Sequence, residues 1–376
     1  MKKILHIAQS AGGVSEYLKT FFKYSDSTKY EIYLICSNDY IKDLDIFKKL
    51  LKKIKIIEMD RDINLLKDFK SYRRILEYVK EVKPDIIHAH SSKAGVYGRI
   101  ISKKLGIPVI YNAHGWAFNM DISNFKKIIY GSIEKVLSFY TDKIINISQD
   151  EYDQATQYIC KEKMMVINNG IDIEKFERKF DSVSIKYKYN IPDNKFIIGM
   201  VARLSDQKDP KLYVEIAKYI YEKYGENIFF LFVGDGELRK EIDNEMNKFT
   251  KNYLITGWIN NVNEFISIFD IAILTSKWEG FGLVLAEYMA AKKPIVSSNV
   301  GGIKNVIENE KTGYLIDSRN PKDFGDKIIY LLNNREKCFE LKSNAFKSVN
   351  KKFNAKDMVK KHEILYEEVL LEKEKK

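Results

Sequence analysis

The chain alternates short apolar runs with longer segments in which apolar residues recur every three or four positions. The runs are rich in Val, Ile and Leu, as expected of strands buried on both faces of a parallel sheet. In the first half these runs are Lys3–Ala8, Tyr30–Cys36, Ile54–Glu58, Ile86–Ala89, Val109–Asn112, Lys143–Ile147 and Met165–Ile167. The helix-like segments are Val14–Phe22, Asp68–Glu81, Lys93–Leu105, Phe125–Phe139 and Asp150–Tyr158. This succession predicts a doubly wound α/β sheet.

The alternation stops in a polar, irregular stretch, Asp172–Asn194, and then resumes. The later strands are predicted at Phe196–Met200, Ile228–Val233, Tyr253–Thr256, Ile271–Leu274, Ile295–Ser297 and Gly313–Ile316. The later helices are predicted at Pro210–Lys223, Leu238–Phe249, Asn263–Ile268, Leu283–Ala291, Pro321–Leu332 and Asp357–Lys373. We therefore predict a first α/β domain over 1–172, a connection over 173–195 and a second α/β domain over 196–352. A closing helix over 353–376 is expected to pack back on the first domain.

Composition is typical of a globular protein of two domains. A chain of 376 residues exceeds the size at which a single core stops growing. Hydrophobic residues make up 45% of it, and no apolar run approaches the ~20 residues of a transmembrane helix. The three cysteines, Cys36, Cys160 and Cys338, are far apart and lack metal-binding spacing, which favours a reducing cytoplasm.

The net charge of +11 is concentrated in the first half, where residues 1–170 carry 28 Lys and Arg against 20 Asp and Glu. Such a basic half suits an anionic partner: a membrane surface, a diphosphate lipid or nucleic acid. The amphipathic segment Phe47–Lys55 is a candidate for docking on an anionic membrane. The alternative is a lysine-rich genome that places Lys on solvated faces without any such partner.

The segment Glu279–Glu287 holds two carboxylates separated by a glycine-bounded turn. A helix that starts near Gly282 or Leu283 leaves Glu279 in the preceding loop and places Glu287 on the second turn. Loop N–H groups and a helix N-terminus attract an anion such as a sugar diphosphate. Glu287 can accept two hydrogen bonds from a vicinal diol such as a ribose. This combination indicates a nucleotide-sugar site.

A second cluster, Ala202–Pro210, follows the predicted strand Phe196–Met200. Arg203 offers a fork of donors and Lys208 a point charge, and together they suit two adjacent phosphates. Two surface cations in an ordinary loop are the alternative. Because ligands of open parallel sheets bind beyond the carboxyl ends of the strands, we expect both clusters at a cleft between two facing domains.

Further glycine- and histidine-bearing loops follow other strands. Gly12 and Gly13 allow a ligand close to the backbone, but the segment is not Gly-x-Gly-x-x-Gly, so dinucleotide binding is disfavoured. His114 could hydrogen-bond a sugar or act as a base, or it could be a packed imidazole. His88 and His90 have a spacing that a metal could use, but the sequence offers no further ligands. Three more loops could line a nucleotide pocket or be plain turns: Gly234–Glu237, Thr256–Ile259 and Asn299–Gly302.

Two Asp-x-Asp triplets, Asp43–Asp45 and Asp60–Asp62, are interpreted as solvated surface, and no metal is expected.

Taken together, these motifs resemble family 4 of the retaining glycosyltransferases, which have the GT-B architecture of two Rossmann-like domains facing a cleft. The Glu-x7-Glu signature is present as Glu279 and Glu287, and Arg-Leu-Ser-x-Gln-Lys runs from Arg203 to Lys208. Ala89–Gly95 and Ala113–Asn119 are most similar to segments of bacterial capsule, exopolysaccharide and O-antigen transferases. One departure is Asp209, where many members have glycine.

The resemblance implies roles by position. Arg203 and Lys208 would neutralise the donor diphosphate and so contribute to catalysis, with Glu279 at the donor sugar and Glu287 at the ribose. His114 would lie beside the reacting sugar. The remaining donor contacts implied are main chain at Phe281, Gly282 and Leu283 for the sugar or phosphate, main chain near Ile259 for the base, and Gly13 near the phosphates.

The expected activity is transfer of a hexose-type sugar, with retention, from a nucleotide donor, expected to be UDP. The expected acceptor is a polyprenyl-diphosphate-linked or growing cell-surface glycan. The enzyme is expected to need neither a metal nor another cofactor, to bind no nucleic acid, and to be cytoplasmic with peripheral contact to the inner face of the plasma membrane. Two alternatives are a nucleotide-sugar epimerase of GT-B architecture and a partner subunit that has lost the chemistry.

Overall fold

The structure is a computed structural model that describes residues 1–60, 64–120 and 122–375. Arg61 and Asp62 of the second Asp-x-Asp triplet therefore lie outside the described residues. The chain divides into two compact units. The first unit is Met1–Ile171 together with Ala355–Lys376, and the second unit is Asp172–Asn354.

Within the described ranges, thirteen strands form two sheets in which all neighbouring strands are parallel. The strands of the first unit are β1 Lys2–Ala8, β2 Tyr30–Cys36, β3 Lys53–Ile56, β4 Ile86–His90, β5 Val109–Asn112, β6 Lys143–Asn146 and β7 Met164–Val166. The strands of the second unit are β8 Phe196–Val201, β9 Ile228–Val233, β10 Tyr253–Ile255, β11 Ile271–Leu274, β12 Ile295–Ser298 and β13 Tyr314–Ile316.

Helices connect successive strands and cover both sheets. Those of the first half are α1 Gly13–Tyr24, α2 Leu44–Leu50, α3 Leu65–Val82, α4 Ser92–Leu105, α5 Asn124–Ser138 and α6 Gln149–Ala155. Those of the second half are α7 Glu174–Glu177, α8 Ser182–Lys188, α9 Pro210–Tyr224, α10 Arg239–Asn247, α11 Val262–Ser267, α12 Leu283–Ala290, α13 Ile303–Val306, α14 Pro321–Asn333, α15 Arg335–Lys352 and α16 Ala355–Glu374.

Both sheets are doubly wound. The first has the order β3-β2-β1-β4-β5-β6-β7, and the second has the order β10-β9-β8-β11-β12-β13. The order reverses between β1 and β4 in one sheet and between β8 and β11 in the other, which is where ligands of such sheets bind. The prediction of two Rossmann-like α/β domains is confirmed.

The strands of the first sheet bury side chains on both faces, so its central strands read as unbroken apolar runs. Leu5 and Ile7 of β1 pack with α3 and α4, whereas Ile4 and Ala8 pack with α1, α2 and α16. His6 lies between Ile4 and Ala8 in the strand and stands opposite His88 in the parallel register. It therefore projects from the face that α1 and α16 cover.

Helix α16 belongs to the first unit although it follows the whole second unit in the chain. The N–H of Ala355 donates to the carbonyl of Ile171 at 3.1 Å. The residue at which the chain leaves the first unit is thus bonded to the residue at which it returns. His362 and Tyr366 are buried against the first sheet with Leu365 and Val369. The helix thus completes one face of a sheet whose last strand ends at Val166, before the whole second unit in the chain.

Several elements differ from the expectations. Helix α15 was not predicted, because it buries only Leu341, Ala345 and Val349 and is otherwise polar, so its apolar stripe is narrow. The polar stretch after Asp172 is not wholly irregular, since it contains α7 and α8. Asp181 caps α8 by accepting hydrogen bonds from two backbone N–H groups, and such caps form helices in segments with little hydrophobic pattern.

Two surface interpretations were wrong. Phe47–Lys55 is not one amphipathic segment: α2 ends at Leu50, β3 begins at Lys53, and Phe47 is fully buried. Asp43 is not simply solvated, because it accepts a hydrogen bond from Ser15 and pairs with Lys19 at 2.7 Å. Both residues fold inward because α2 packs against α1.

Glu151, on α6, is a buried carboxyl with incomplete hydrogen bonding. It is 1% exposed, one oxygen accepts from the N–H of Ile147 at 3.2 Å, and the other has no partner among the described residues. Burial raises the pKa of Glu151 from 4.5 to about 7. Between these values the unfolded chain releases its proton while the folded chain keeps it, so rising pH lowers stability in this window.

We predict that Glu151→Gln removes this loss. The variant should match the wild type at pH 4.5 and exceed it at pH 8 by about 2 to 3 kcal/mol in the free energy of unfolding. Urea denaturation across this pH range measures the difference. Glu77→Gln, at an exposed position of the same unit, is the control and should leave the pH profile unchanged. Parallel profiles for Glu151→Gln and the wild type would contradict the prediction.

Candidate functional site

The second unit gathers its polar loops at the carboxyl ends of β8, β9, β11 and β12. These strands are neighbours in the order β9-β8-β11-β12, and the loop after each one emerges at the same edge. The two sequence motifs predicted to act together lie in the loops after β8 and β11. Topology alone therefore brings Arg203, Lys208 and Glu279 to one edge of one sheet.

The Arg203 loop is held by backbone contacts with the loop after β9. The N–H of Ala202 donates to Val233 O at 3.1 Å, and the N–H of Leu204 donates to Asp235 O at 2.9 Å. A Cβ on Gly234 would lie 2.0 Å from the carbonyl oxygen of Ala202, so this position requires glycine. The side chain of Arg203 is about half exposed and pairs with Glu237 at 3.2 Å.

Lys208 and Glu279 form an ion pair between the two motifs. The carboxylate of Glu279 is 7% exposed and also accepts a hydrogen bond from Ser276 Oγ at 2.8 Å. Thr275 Oγ lies 2.9 Å from the carbonyl oxygens of both Lys208 and Asp209, which ties the end of β11 to the Lys208 loop. The pair is thus built on a rigid backbone frame.

The backbone after Glu279 leads directly into α12. Gly282 has φ +78° and precedes the helix, which begins at Leu283 as predicted. The carbonyl of Glu279 accepts the N–H of Gly302 at 2.9 Å, and a Cβ on Gly301 would lie 2.2 Å from that carbonyl oxygen. The Val-Gly-Gly loop after β12 is therefore packed against Glu279.

The other predicted donor residues also lie in the second unit. Glu287 is half-buried on the second turn of α12, and Phe281 is buried with its ring 5.2 Å from that of Phe353. Ile259 is half-buried after β10, beside Trp258, which is 61% exposed. Their roles remain predictions.

Arg319 is a residue that the sequence reasoning missed. Its guanidinium donates to Ser276 O at 3.0 Å, to Thr275 O at 2.9 Å and to Ser298 Oγ at 3.2 Å, and it pairs with Asp209. One side chain thus joins the ends of β11 and β12 to the Lys208 loop. The sequence signal that could have identified Arg319 is its position three residues after β13, at the same edge of the sheet.

The pairing with Arg319 accounts for the unusual residue Asp209. Its φ is +45°, in the left-handed region where glycine is at ease. Asp209 also caps α9, since its Oδ1 accepts the N–H of Leu212 at 3.3 Å. The carboxylate therefore offsets the backbone strain with a cap and an ion pair that glycine could not make.

Gly13 and His114, the other two predicted site residues, lie in the first unit. Gly13 is the first residue of α1, after Gly12 with φ +79°. His114 is half-buried in the turn after β5, and its Nε2 lies 2.9 Å from His90 Nδ1. Its ring makes an edge contact with Tyr17 of α1 at 4.6 Å, so the turn lies close to that helix. These two residues belong to the first compact unit, whereas the motifs that contain Arg203 and Glu279 belong to the second.

His6, His88 and His90 form a cluster of possible metal ligands. Each offers a ring nitrogen within 4.8 Å of the others, and the further ligand that the sequence had not provided is His6 of the neighbouring strand. However, Nε2 of His90 already lies 2.9 Å from Nδ1 of His6. A cation would have to break that hydrogen bond, so the cluster does not fit a preformed metal site, and the expected independence from metal remains a prediction.

Comparison with family models matches each half of the chain. Residues 11–175 match the model described as Glycosyltransferase Family 4, and residues 181–348 match the model described as Glycosyl transferases group 1. The two matches join near the boundary between the units.

Two bacterial glycosyltransferases are among the proteins similar to this chain. The chain is 30% identical to the Escherichia coli UDP-Gal:alpha-D-GlcNAc-diphosphoundecaprenol alpha-1,3-galactosyltransferase, over 99% of this chain and 98% of that protein. It is 28% identical to the capsular polysaccharide biosynthesis glycosyltransferase CapM of Staphylococcus aureus, over 85% of this chain and 86% of that protein. Among solved structures, Anabaena Alr3699/HepE in complex with UDP and glucose superimposes with a TM-score of 0.85, at 19% identity, over 97% of this chain and 99% of that chain.

We predict that the free energy of unfolding is highest for the wild type and falls in the order Asp209→Asn, Asp209→Gly, Asp209→Ala. Asparagine keeps the capping oxygen and tolerates positive φ, whereas glycine loses the cap. Alanine loses the cap and also bears the left-handed strain, about 1 kcal/mol more than glycine. Urea unfolding measures the series. At exposed Asp193, whose φ is not positive, alanine should instead be more stable than glycine, and the same order at both positions would contradict the argument.

Proposed function

This chain belongs to glycosyltransferase family 4, and from that premise we propose that it transfers a sugar from a UDP donor to a lipid-linked or growing cell-surface glycan. The observation that carries the proposal is the ion pair between Lys208 and Glu279, which joins the family's two donor motifs at one sheet edge. The name of the Escherichia coli relative, with its UDP donor and diphosphoundecaprenol acceptor, supports both substrate classes.

The charges of the second unit suit a nucleotide diphosphate. Arg203 is half exposed, and its pair with Glu237 is a surface pair, which is worth little and yields readily to a phosphate. Lys208 is held by Glu279 and by the frame around Thr275, so its ammonium is already oriented before a donor arrives. We assign Arg203 to capture of the diphosphate and Lys208 to stabilisation of the leaving phosphate.

The proposed reaction retains the anomeric configuration and needs no metal. A double displacement with Glu279 as nucleophile is disfavoured, because forming an ester would neutralise the carboxylate whose Oε1 pairs with Lys208 and accepts from Ser276. A front-face substitution places the developing negative charge on the leaving phosphate, where Arg203 and Lys208 can neutralise it. Glu287 is assigned to the ribose, and the main chain of Phe281, Gly282 and Leu283 to the sugar or phosphate.

We also propose peripheral contact with an anionic membrane, through α5 and not through Phe47–Lys55. Apolar side chains at helical spacing are exposed along α5 and just after it: Phe125 (72%), Ile128 (59%), Ile129 (40%), Ile133 (42%), Val136 (54%) and Phe139 (70%). A contiguous apolar face of this kind marks an interaction surface. No helix among the described residues is long and apolar enough to cross a membrane.

The charges on α5 match an anionic lipid surface. Lys126, Lys127 and Lys135 are exposed or half-exposed, whereas its acidic residue, Glu134, is buried and bonded to Arg99 at 2.7 Å. An apolar face bordered by lysines is the pattern of an interfacial helix. A membrane would bring the enzyme to a lipid-linked acceptor.

We predict that Arg203→Ala lowers kcat/KM about 100-fold or more, because a cation facing the diphosphate is lost. Glu279→Gln should also lower turnover, since Lys208 loses its partner. Release of free UDP from a panel of UDP-sugars, with a polyprenyl-diphosphate sugar as acceptor, measures turnover and identifies the donor. Arg335→Ala and Glu336→Gln, at exposed positions of α15, are matched controls expected to behave as wild type.

Near-normal turnover in folded Arg203→Ala and Glu279→Gln variants would contradict the assignment of these residues to the donor site. Conversion of a UDP-sugar to an isomer without any acceptor would support an epimerase instead. A donor titration without binding would favour the partner-subunit alternative.

We predict that replacing Phe125, Ile128 and Phe139 with Ser lowers binding to phosphatidylglycerol vesicles about tenfold or more, because apolar area is lost from the membrane face. Co-sedimentation with vesicles measures the binding, and zwitterionic vesicles should bind the wild type less. Val183→Ser/Phe339→Ser, exposed positions of the second unit, is the matched control. Equal binding by the triple variant and the control would rule out α5, and concentration-dependent dimers lost in the triple variant would assign its face to a second copy of the chain.

A further inference from the structure

All five histidines of the chain lie in one cluster of the first unit. They are His6 of β1, His88 and His90 of β4, His114 after β5 and His362 of α16, and their rings stack or bond in a continuous series. The family resemblance implies a role for His114 alone among them. The other four are fully buried, and a structural core has no need of five imidazoles.

We propose that His6 and His90 are positioning residues that fix His114 as the neutral tautomer with its proton on Nδ1. In this form His114 offers a ligand a hydrogen-bond donor and cannot act as a general base. By residue type alone, His114 could be a hydrogen-bond partner of a sugar or a base. The arrangement in the first unit leaves it the role of a hydrogen-bond donor.

Hydrogen bonds join three of the imidazole rings in a series, and the number of protons limits their directions. Nδ1 of His6 lies 2.9 Å from Nε2 of His90, and Nδ1 of His90 lies 2.9 Å from Nε2 of His114. A neutral imidazole has one N–H donor and one acceptor nitrogen. Because His90 uses both of its nitrogens, all three protons must point the same way along the series. Two arrangements are possible, one the reverse of the other.

Nε2 of His6 decides between the two arrangements. It is buried and has no hydrogen-bond partner among the described residues. If the protons pointed from His114 towards His6, this nitrogen would carry a buried N–H without an acceptor, which is rarer than an unpaired acceptor. The protons therefore run from His6 to His90 to His114. Nε2 of His114 accepts, and its proton is on Nδ1, which has no bond to the described residues and is not an enclosed atom.

The surroundings of His114 keep it neutral. Burial lowers the pKa of His6 and of His114 to about 3, and it lowers the pKa of His90 well below 6.5. The groups that face His114 from other elements are His90 of β4, Tyr17 of α1 and His362 of α16. None of them carries charge near neutral pH, so among the described residues no such neighbour stabilises an imidazolium.

The backbone shows that His114 is held and not merely packed. Its φ is +53°, a left-handed conformation that costs about 1 to 2 kcal/mol for a residue with a Cβ. Tyr17, against its ring, is itself fixed: His362 Nδ1–H donates to Met358 O at 2.8 Å, so Tyr17 O–H must donate to His362 Nε2 at 2.9 Å. Strain that several contacts sustain is characteristic of functional sites.

A neutral N–H donor suits a sugar hydroxyl near the reacting carbon. This last step rests on the proposed function and on the position beside the reacting sugar that the family resemblance implies for His114. The imidazole of His114 would stay neutral from about pH 5 to 9. The pH profile of turnover should therefore show no ionisation of His114 near the ordinary histidine pKa of 6.5.

The tautomer can be measured without any substrate. In the wild type labelled with 15N-histidine, long-range 1H–15N spectra distinguish a protonated from an unprotonated ring nitrogen, and His114→Gln identifies the signals of His114. We expect a protonated Nδ1 and an unprotonated Nε2. A protonated Nε2, or an imidazolium at pH 7, would overturn the proposal. An absence of transferase activity would count against the proposed function alone, since the spectrum needs no turnover.

Two variants test whether His90 acts through His114. His90→Asn keeps an N–H near the position of Nδ1 and should preserve the tautomer, whereas His90→Leu removes it and should give mixed tautomers. With His90→Leu, kcat should fall about 10- to 100-fold with little change in donor KM, and His90→Asn should recover part of it. The double variant His90→Leu/His114→Gln should be no slower than His114→Gln. Independent, multiplicative losses would show that His90 does not act through His114.

Discussion

A parallel sheet must bury both of its faces, and in the first unit one face is completed by the last helix of the chain. Helix α16 brings His362 and Tyr366 beneath β1 and β4, where Tyr366 O–H lies 2.7 Å from His88 Nδ1. The polar cluster of the first unit therefore depends on residues separated by more than 270 positions. Tyr17, which contacts His114, is oriented through His362 of the same helix. Fold completion and the arrangement around His114 thus depend on one packing contact.

The second unit uses a different means of positioning, in which cations near the sheet edge pair with carboxylates. The pairs are Arg203 with Glu237, Lys208 with Glu279, Lys277 with Asp206 and Arg319 with Asp209. They differ in exposure: both side chains of the Arg203 pair are about half exposed, whereas Glu279 is nearly buried. An incoming diphosphate can displace an exposed partner at small cost but not a buried one. Under the proposed function, the exposed pairs of Arg203 and Lys277 can thus exchange partners, whereas Lys208 is fixed.

The sequence predicted what is local. Val- and Ile-rich runs located the strands, and the spacing from Glu279 to Glu287 located the start of α12, because helix geometry and strand burial act over a few residues. What it missed is long-range. Nothing near Arg319 in the chain marks the carbonyls of Thr275 and Ser276 that it binds, and His6 joins His90 only through the register of β1 and β4. Segments with a narrow apolar stripe, such as α15, were also missed.

Under the proposed function, the groups assigned to the reaction limit where the proton of an acceptor hydroxyl can go. Arg203 and Lys208 are cations and cannot accept it, and Glu279 is engaged by Lys208 and Ser276. If His6 and His90 donate towards His114, its acceptor nitrogen is occupied as well. Oε2 of Glu279 has no bond to the described residues, but a proton there would remove the negative charge that pairs with Lys208. The departing phosphate of the donor then becomes the natural acceptor, and its basicity rises as the bond to the sugar breaks. A substitution in which the leaving group removes the proton on its own face of the sugar needs no protein base, which agrees with the proposed retention and with the proposed neutral form of His114.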